Sequence, residues 1–213
     1  MTDIFREIEE DLRQEKLKKL WKQYGAYVVG LIVLIVAGVG GYQAWKAWDL
    51  ERRFEQSNRY AAALQQLRTG NQAGAEATLT ELAGSGSGYA VLARFEQAGL
   101  KAESGDLSGA IALWDQLARD GTAGPAFQGL ATLLSVTHQI DSGDPGELEV
   151  RLRPLTAQGN PFRPSALELT AALALRAGDS ARARELYTEL ADDRIAPAGL
   201  RTRAAQMLEA LDG

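Results

Sequence analysis

The residues most able to do chemistry in this chain are Ser135, His138 and Asp141, which stand three apart in "LLSVTHQIDSGD" and would lie near one another on a helix. A serine, an imidazole and a carboxylate in that order invite a hydrolase, with His138, the only histidine, as its base. Nucleophilic catalysis also needs donors aimed at a developing oxyanion and a base oriented by a third group. A single helix offers no such backbone geometry, so His138 reads first as a surface or satisfied histidine near a helix end. The glycine-rich "AGSGSGYA" at 83–90 superficially resembles a phosphate cradle, but it lacks a preceding strand and a Gly-Lys-Ser/Thr ending and reads as a turn between helices. Glu81, Asp115 and Glu189 are expected on solvated helix faces, where neither paired-acid catalysis nor a metal site finds support. Without cysteine there is no disulfide framework and no thiolate metal site. A net charge of −5 argues against a nucleic-acid partner. The chain is therefore expected to be a non-enzyme with no cofactor, metal or small-molecule substrate, the His138 hydrolase standing as the alternative.

The elements that would have to position such residues are helices, and they repeat. Gly70, Gly105, Gly143 and Gly178 are separated by 35, 38 and 35 residues. Five positions after them come Ala75, Ala110, Leu148 and Ala183; nine after come Leu79, Trp114, Leu152 and Tyr187; twelve after come Leu82, Leu117, Leu155 and Leu190. These offsets share one helix face, with a small residue where two helices approach most closely. Each glycine thus marks a turn into a helix, and another apolar-periodic stretch, such as "YAVLARFEQAGLKAE" before Gly105, lies upstream. The unit is helix, turn, helix, and its length is close to the roughly 34 residues of the tetratricopeptide pattern. Pro125, Pro161, Pro164 and Pro197 fall between units, where one helix must stop and the next can start. The expected fold is all-α: a right-handed solenoid of about four helix pairs over residues 46–213, ended by "PAGLRTRAAQMLEALDG" as a capping helix. The third unit departs from the phrase, since Leu148 replaces alanine and Pro154 should kink or shorten its second helix.

Ahead of the repeats, residues 23–45 contain no Asp, Glu, Lys or Arg, whereas Lys22 and Lys46 stand immediately outside. As a helix rising about 1.5 Å per residue, this run covers the roughly 30 Å hydrocarbon core of a bilayer. Trp21, Tyr24 and Tyr27 mark one border, and Tyr42, Trp45 and Trp48 the other, as interfacial belts require. A cleaved signal peptide would have a shorter apolar run and an acid-poor leader, but residues 1–22 hold six acids. Arg6, Arg13, Lys16, Lys18, Lys19 and Lys22 precede the span, against Lys46, Arg52, Arg53 and Arg59 after it, so the N-terminus is expected in the cytosol. Ile4, Phe5, Ile8 and Leu12 give the 1–22 leader an amphipathic helical spacing. Within the span, Ala26 with Gly30 and Ala37 with Gly41 are small residues four apart, which would permit close contact with another membrane helix. No proline interrupts Gln43 to Leu67, so the span is expected to run on into the first repeat.

The leader "IFREIEEDLRQEKLKKLWKQYG", the single span and above all "GNPFRPSALELTAALALRAGD", with its Asn160-Pro161-Phe162-Arg163-Pro164 segment, resemble the bacterial inner-membrane ancillary subunits of the Sec translocon. That family carries a periplasmic tetratricopeptide-like domain, and the resemblance runs along essentially the whole chain. It implies a single-pass inner-membrane protein with translocon subunits and a membrane-anchored periplasmic chaperone of the prolyl-isomerase type as partners, assisting secreted proteins as they emerge. A scaffold for another envelope assembly, such as a cell-wall or division complex, is the competing reading.

Overall fold

Because proline is absent before residue 125, nothing stops the first helix from running unbroken, and α1 extends from Thr2 to Arg68. The computed structural model describes the backbone of residues 2–212 and the side chains of residues 18–212. The chain divides into two units, residues 1–56 and 57–213, the division falling inside α1.

In the first unit the apolar side chains of α1 point outward on every side; Leu31, Leu34, Ile35 and Val36 are all more than half exposed. The helix is therefore not the buried core of a soluble fold, and it is long and apolar enough to cross a membrane. The Trp21 ring lies against Gly25, where an added Cβ would sit 3.3 Å from the indole. The proposed amphipathic face of the leader, Ile4, Phe5, Ile8 and Leu12, lies outside the described side chains.

In the second unit the end of α1 is followed by α2 (Gln72–Ala83), α3 (Gly88–Glu103), α4 (Leu107–Arg119), α5 (Pro125–Thr137) and α6 (Pro145–Leu152), then α7 (Arg163–Arg176), α8 (Ser180–Asp192) and α9 (Ala198–Asp212). No strand occurs among the described residues. From α2 onward each helix packs on the next, and α7 also touches α5 and α9, the pattern of a chain of stacked hairpins. The core is correspondingly segmented. Ala63 of α1 meets Leu79, Leu82 and Ala93; Ala110, Trp114 and Leu117 of α4 meet Ala98 and Ala131. Leu148, Leu152 and Leu155 meet Val136 and Leu173, and Ala183, Tyr187 and Leu190 of α8 meet Leu200 and Ala204 of the terminal helix.

The third pair is the irregular one. Helix α6 is eight residues long, and the chain tightens at Pro154 into a 3₁₀ turn over Arg153–Leu155, because proline cannot supply the next backbone hydrogen bond. The Asn160-Pro161-Phe162-Arg163-Pro164 segment then rebuilds a helix start. Asn160 Oδ1 accepts from the Phe162 N–H at 2.9 Å. The Phe162 ring lies over Gly129, where a Cβ would come within 2.7 Å of it. Arg163 donates to the Thr156 carbonyl at 3.1 Å and pairs with Glu189. The most distinctive stretch of the sequence thus joins α5, α7 and α8.

Candidate functional site

Each copy of the repeat phrase runs from a turn into a capped helix. Gly70, Gly105 and Gly178 have φ of 79°, 88° and 81°, a left-handed backbone that favours glycine. Gly143 is absent from the positive-φ glycines. In all four, the residue after the glycine caps the next helix: Asn71, Asp106, Asp144 and Asp179 accept from the backbone N–H groups of Gly74, Gly109, Glu147 and Arg182 at 2.8–3.1 Å. Ala75, Ala110 and Ala183 are fully buried, and Leu148, Leu82, Leu117, Leu155 and Leu190 are buried as well. Ala26, Gly30, Ala37 and Gly41 lie exposed along α1, and a Cβ built on Gly30 or Gly41 meets nothing within 4 Å.

The Ser135, His138 and Asp141 trio does not assemble. Helix α5 ends at Thr137, so His138 is its C-cap and Asp141 lies beyond the helix. The His138 ring stacks on Trp114, with centroids 4.8 Å apart and planes 17° from parallel. Ser135 is fully buried and turns to other partners: its Oγ donates to Asp115 at 2.5 Å and accepts from Gln139 and Arg151 at 2.9 Å each. Arg151 also pairs with Asp115, which ties α4, α5 and α6 together. Asp115, expected on a solvated face, has a side chain only 23 % exposed. A carboxylate can sit low on a helix when a guanidinium and a hydroxyl satisfy it, as Arg151 and Ser135 do here. Glu81 and Glu189 stay on the outside, each paired across helices, with Arg59 and Arg163 respectively.

The "AGSGSGYA" stretch bridges α2 and α3; Ser85 Oγ donates to the Leu82 carbonyl at 2.7 Å and lies 2.8 Å from Ser87 Oγ. No group of side chains suited to a metal ion occurs among the described residues.

Clefts open on the face shared by the end of α1, α2 and α3. Leu67, Gln72, Glu96, Gly99, Leu100 and Glu103 line a cleft of ≈ 180 Å³. A second cleft of ≈ 260 Å³ adjoins it through Gln72 and Leu100 and reaches Lys101 and Leu113. Beside the first, the Tyr60 hydroxyl donates to Glu96 Oε1 at 2.9 Å, and its ring lies 5.7 Å from that of Tyr89. Burial, aided by the Glu96 carboxylate, pushes the Tyr60 phenol up to about 12, so it stays a neutral donor at any physiological pH. A half-buried leucine floor with carboxylates at its rim and no nucleophile–base pair suits contact with another polypeptide. Sequence reasoning missed this place because Tyr60 and Glu96 are 36 residues apart and carry no shared local signal.

The family model described as a tetratricopeptide repeat-like domain matches residues 18–211. No curated protein and no solved structure matches the chain.

Proposed function

This chain belongs to the tetratricopeptide repeat-like domain family, and on that premise we propose that it is a membrane-anchored scaffold for protein–protein interaction. A stacked helix-pair domain offers an extended surface to other polypeptides and keeps its own polar groups occupied in holding neighbouring helices together. The observation that carries the reading is the extent of the match, which takes in both the apolar stretch of α1 and every helix pair after it. Anchor and repeats then form one functional whole. In this reading α1 crosses the bacterial inner membrane once with its N-terminus in the cytosol, and the repeats work in the periplasm. The basic bias around the span supports that orientation. The partners are translocon subunits and a membrane-anchored periplasmic chaperone, and the role is to hold the chaperone where secreted chains emerge.

Photo-crosslinking amino acids at Ala37 in the span and at Glu103 beside the cleft test this in living cells. The expected adducts are a membrane subunit of the translocon from Ala37 and an anchored periplasmic chaperone from Glu103. Adducts confined to cell-wall or division proteins would contradict the translocon assignment while leaving a scaffold. No protein adduct from either position would contradict the scaffold itself.

A further inference from the structure

Beyond the uncharged run that ends at Trp45, α1 keeps apolar side chains in the open: Trp48, Leu50 and Phe54 are 55 %, 52 % and 61 % exposed. At about 100° of rotation per residue, the charged residues Lys46, Asp49, Glu51, Arg52, Arg53 and Glu55 are spread over about 220° of the helix. They leave an uncharged arc of about 140° that holds Ala47, Leu50 and Phe54. Two of the charges are also held by their own helix. The Arg52 guanidinium lies 4.7 Å above the Trp48 ring, and Arg53 pairs with Asp49 at 2.8 Å. A helix segment divided this way, with an aromatic residue on its apolar side, has the composition of one lying in a membrane interface.

The position along the axis makes this informative. Phe54 lies nine residues past Trp45, about 13 Å further along the helix. The polar layer of a bilayer is only about 5–8 Å deep on each side. If α1 stood upright with Trp45 at the hydrocarbon edge, the Phe54 ring would be held in water beyond the headgroups. Leaning toward the uncharged arc lowers Leu50 and Phe54 and lifts the charged arc away; transmembrane helices tilt by up to about 40°, and a lean near that end of the range brings Phe54 into the headgroup layer. We propose that α1 leaves the bilayer leaning steeply onto its Leu50 and Phe54 face, which rests in the headgroup layer of the outer leaflet. Lipid is the occupant because the exposed apolar surface is continuous with that of the span, from Leu20 to Phe54 on one helix. The inference rests on the membrane-anchored reading above.

The absence of cysteine makes the test direct. Single variants Leu50→Cys, Arg52→Cys and Phe54→Cys of the full chain are labelled with an environment-sensitive fluorophore and reconstituted into phosphatidylcholine–phosphatidylglycerol vesicles. Quenching is then measured with nitroxide-bearing lipid and with aqueous iodide. The expected result is blue-shifted, lipid-quenched emission at residues 50 and 54 and iodide-quenched emission at 52, although residue 52 is nearer the span than 54. Quenching by lipid that falls steadily from 50 through 52 to 54 would mean an upright helix and overturn the inference. So would a label at 54 shielded from both quenchers, which marks a protein occupant. Flotation of the same vesicles separates the two readings: chain that floats with the wrong label order overturns only the leaning face, whereas chain that fails to float overturns the anchor and the leaning face together.

Discussion

At the turn of the second helix pair Gly105 adopts φ 88°, a Cβ added there would meet nothing within 4 Å, and five residues later stands the fully buried Ala110. At the turn of the third, Gly143 is not among the positive-φ residues, and a Cβ there would lie 2.9 Å from Leu148 Cδ1 and 3.2 Å from the Gln139 carbonyl. The same letter serves two purposes. Gly105 is glycine for its backbone, and the room at the helix crossing is made by Ala110. Gly143 is glycine for its missing side chain, and the space is filled by Leu148. Pro154, which ends α6 early, occurs in the same pair as this larger residue. A repeat can therefore keep its spacing while one copy fills the space beside its turn glycine from the position five residues on.

The largest effect expected from this contrast is at Leu148, buried with Leu152, Val136 and Leu173. Leu148→Ala should destabilise the protein by about 2–5 kcal/mol, because the alanine that suits the other pairs leaves a cavity here. Chemical denaturation followed by circular dichroism checks this; a loss well below that range would mean that the third pair collapses to fit alanine. Next come Ala110→Leu and Ala183→Leu, which put the residue of the third pair into the second and fourth. Both should cost about 1–3 kcal/mol through overpacking, and thermal melts unchanged from wild type would show that these crossings are not close.

A smaller effect is expected at the turn itself. Gly105→Ala should cost about 1–2 kcal/mol from the left-handed backbone alone, with no steric term, since the added Cβ points into open space. The smallest belongs to the cap of the same turn. Lys101 beside Asp106, with the Gly109 N–H and the Ser108 hydroxyl, holds the Asp106 carboxyl down from 3.8 to about 2. A depressed carboxylate contributes stability that is complete above the unfolded value and lost as the pH falls from near 4 toward 2. Asp106→Asn keeps a capping oxygen but does not titrate. Its melting temperature should therefore fall less than that of the wild type over that acid window, and parallel curves would remove Asp106 as a source of acid sensitivity.

How much of this could be read from the chain depends on the range of the interaction. The glycine, alanine and leucine offsets are local and follow from helical periodicity, and a helix begins two residues after each of the four glycines. Pro154 acts on its own backbone, so the shortened α6 was equally legible. The long apolar helix is a matter of composition. Asp115, by contrast, was misplaced on a solvated face because what draws it inward is Ser135, twenty residues on, and Arg151, thirty-six residues on. The His138 trio failed for a related reason: spacing of three promises proximity only while the helix lasts, and α5 stops at Thr137. The cleft beside Tyr60 and the seat of Phe162 over Gly129 are likewise products of stacking between helices and have no periodic trace.

The measurement that bears most directly on the filling of the space beside Gly143 by Leu148 is a thermodynamic cycle on residues 143 and 148. Gly143→Ala is made in the wild type and in Leu148→Ala, and unfolding free energies are compared. In the wild type the added methyl meets both Leu148 and the Gln139 carbonyl and should destabilise; in the Leu148→Ala background only the carbonyl contact is left and the cost should shrink, with a coupling of about 0.5–3 kcal/mol. An effect of the same sign and size in both backgrounds would contradict the claim that Gly143 and Leu148 share one volume.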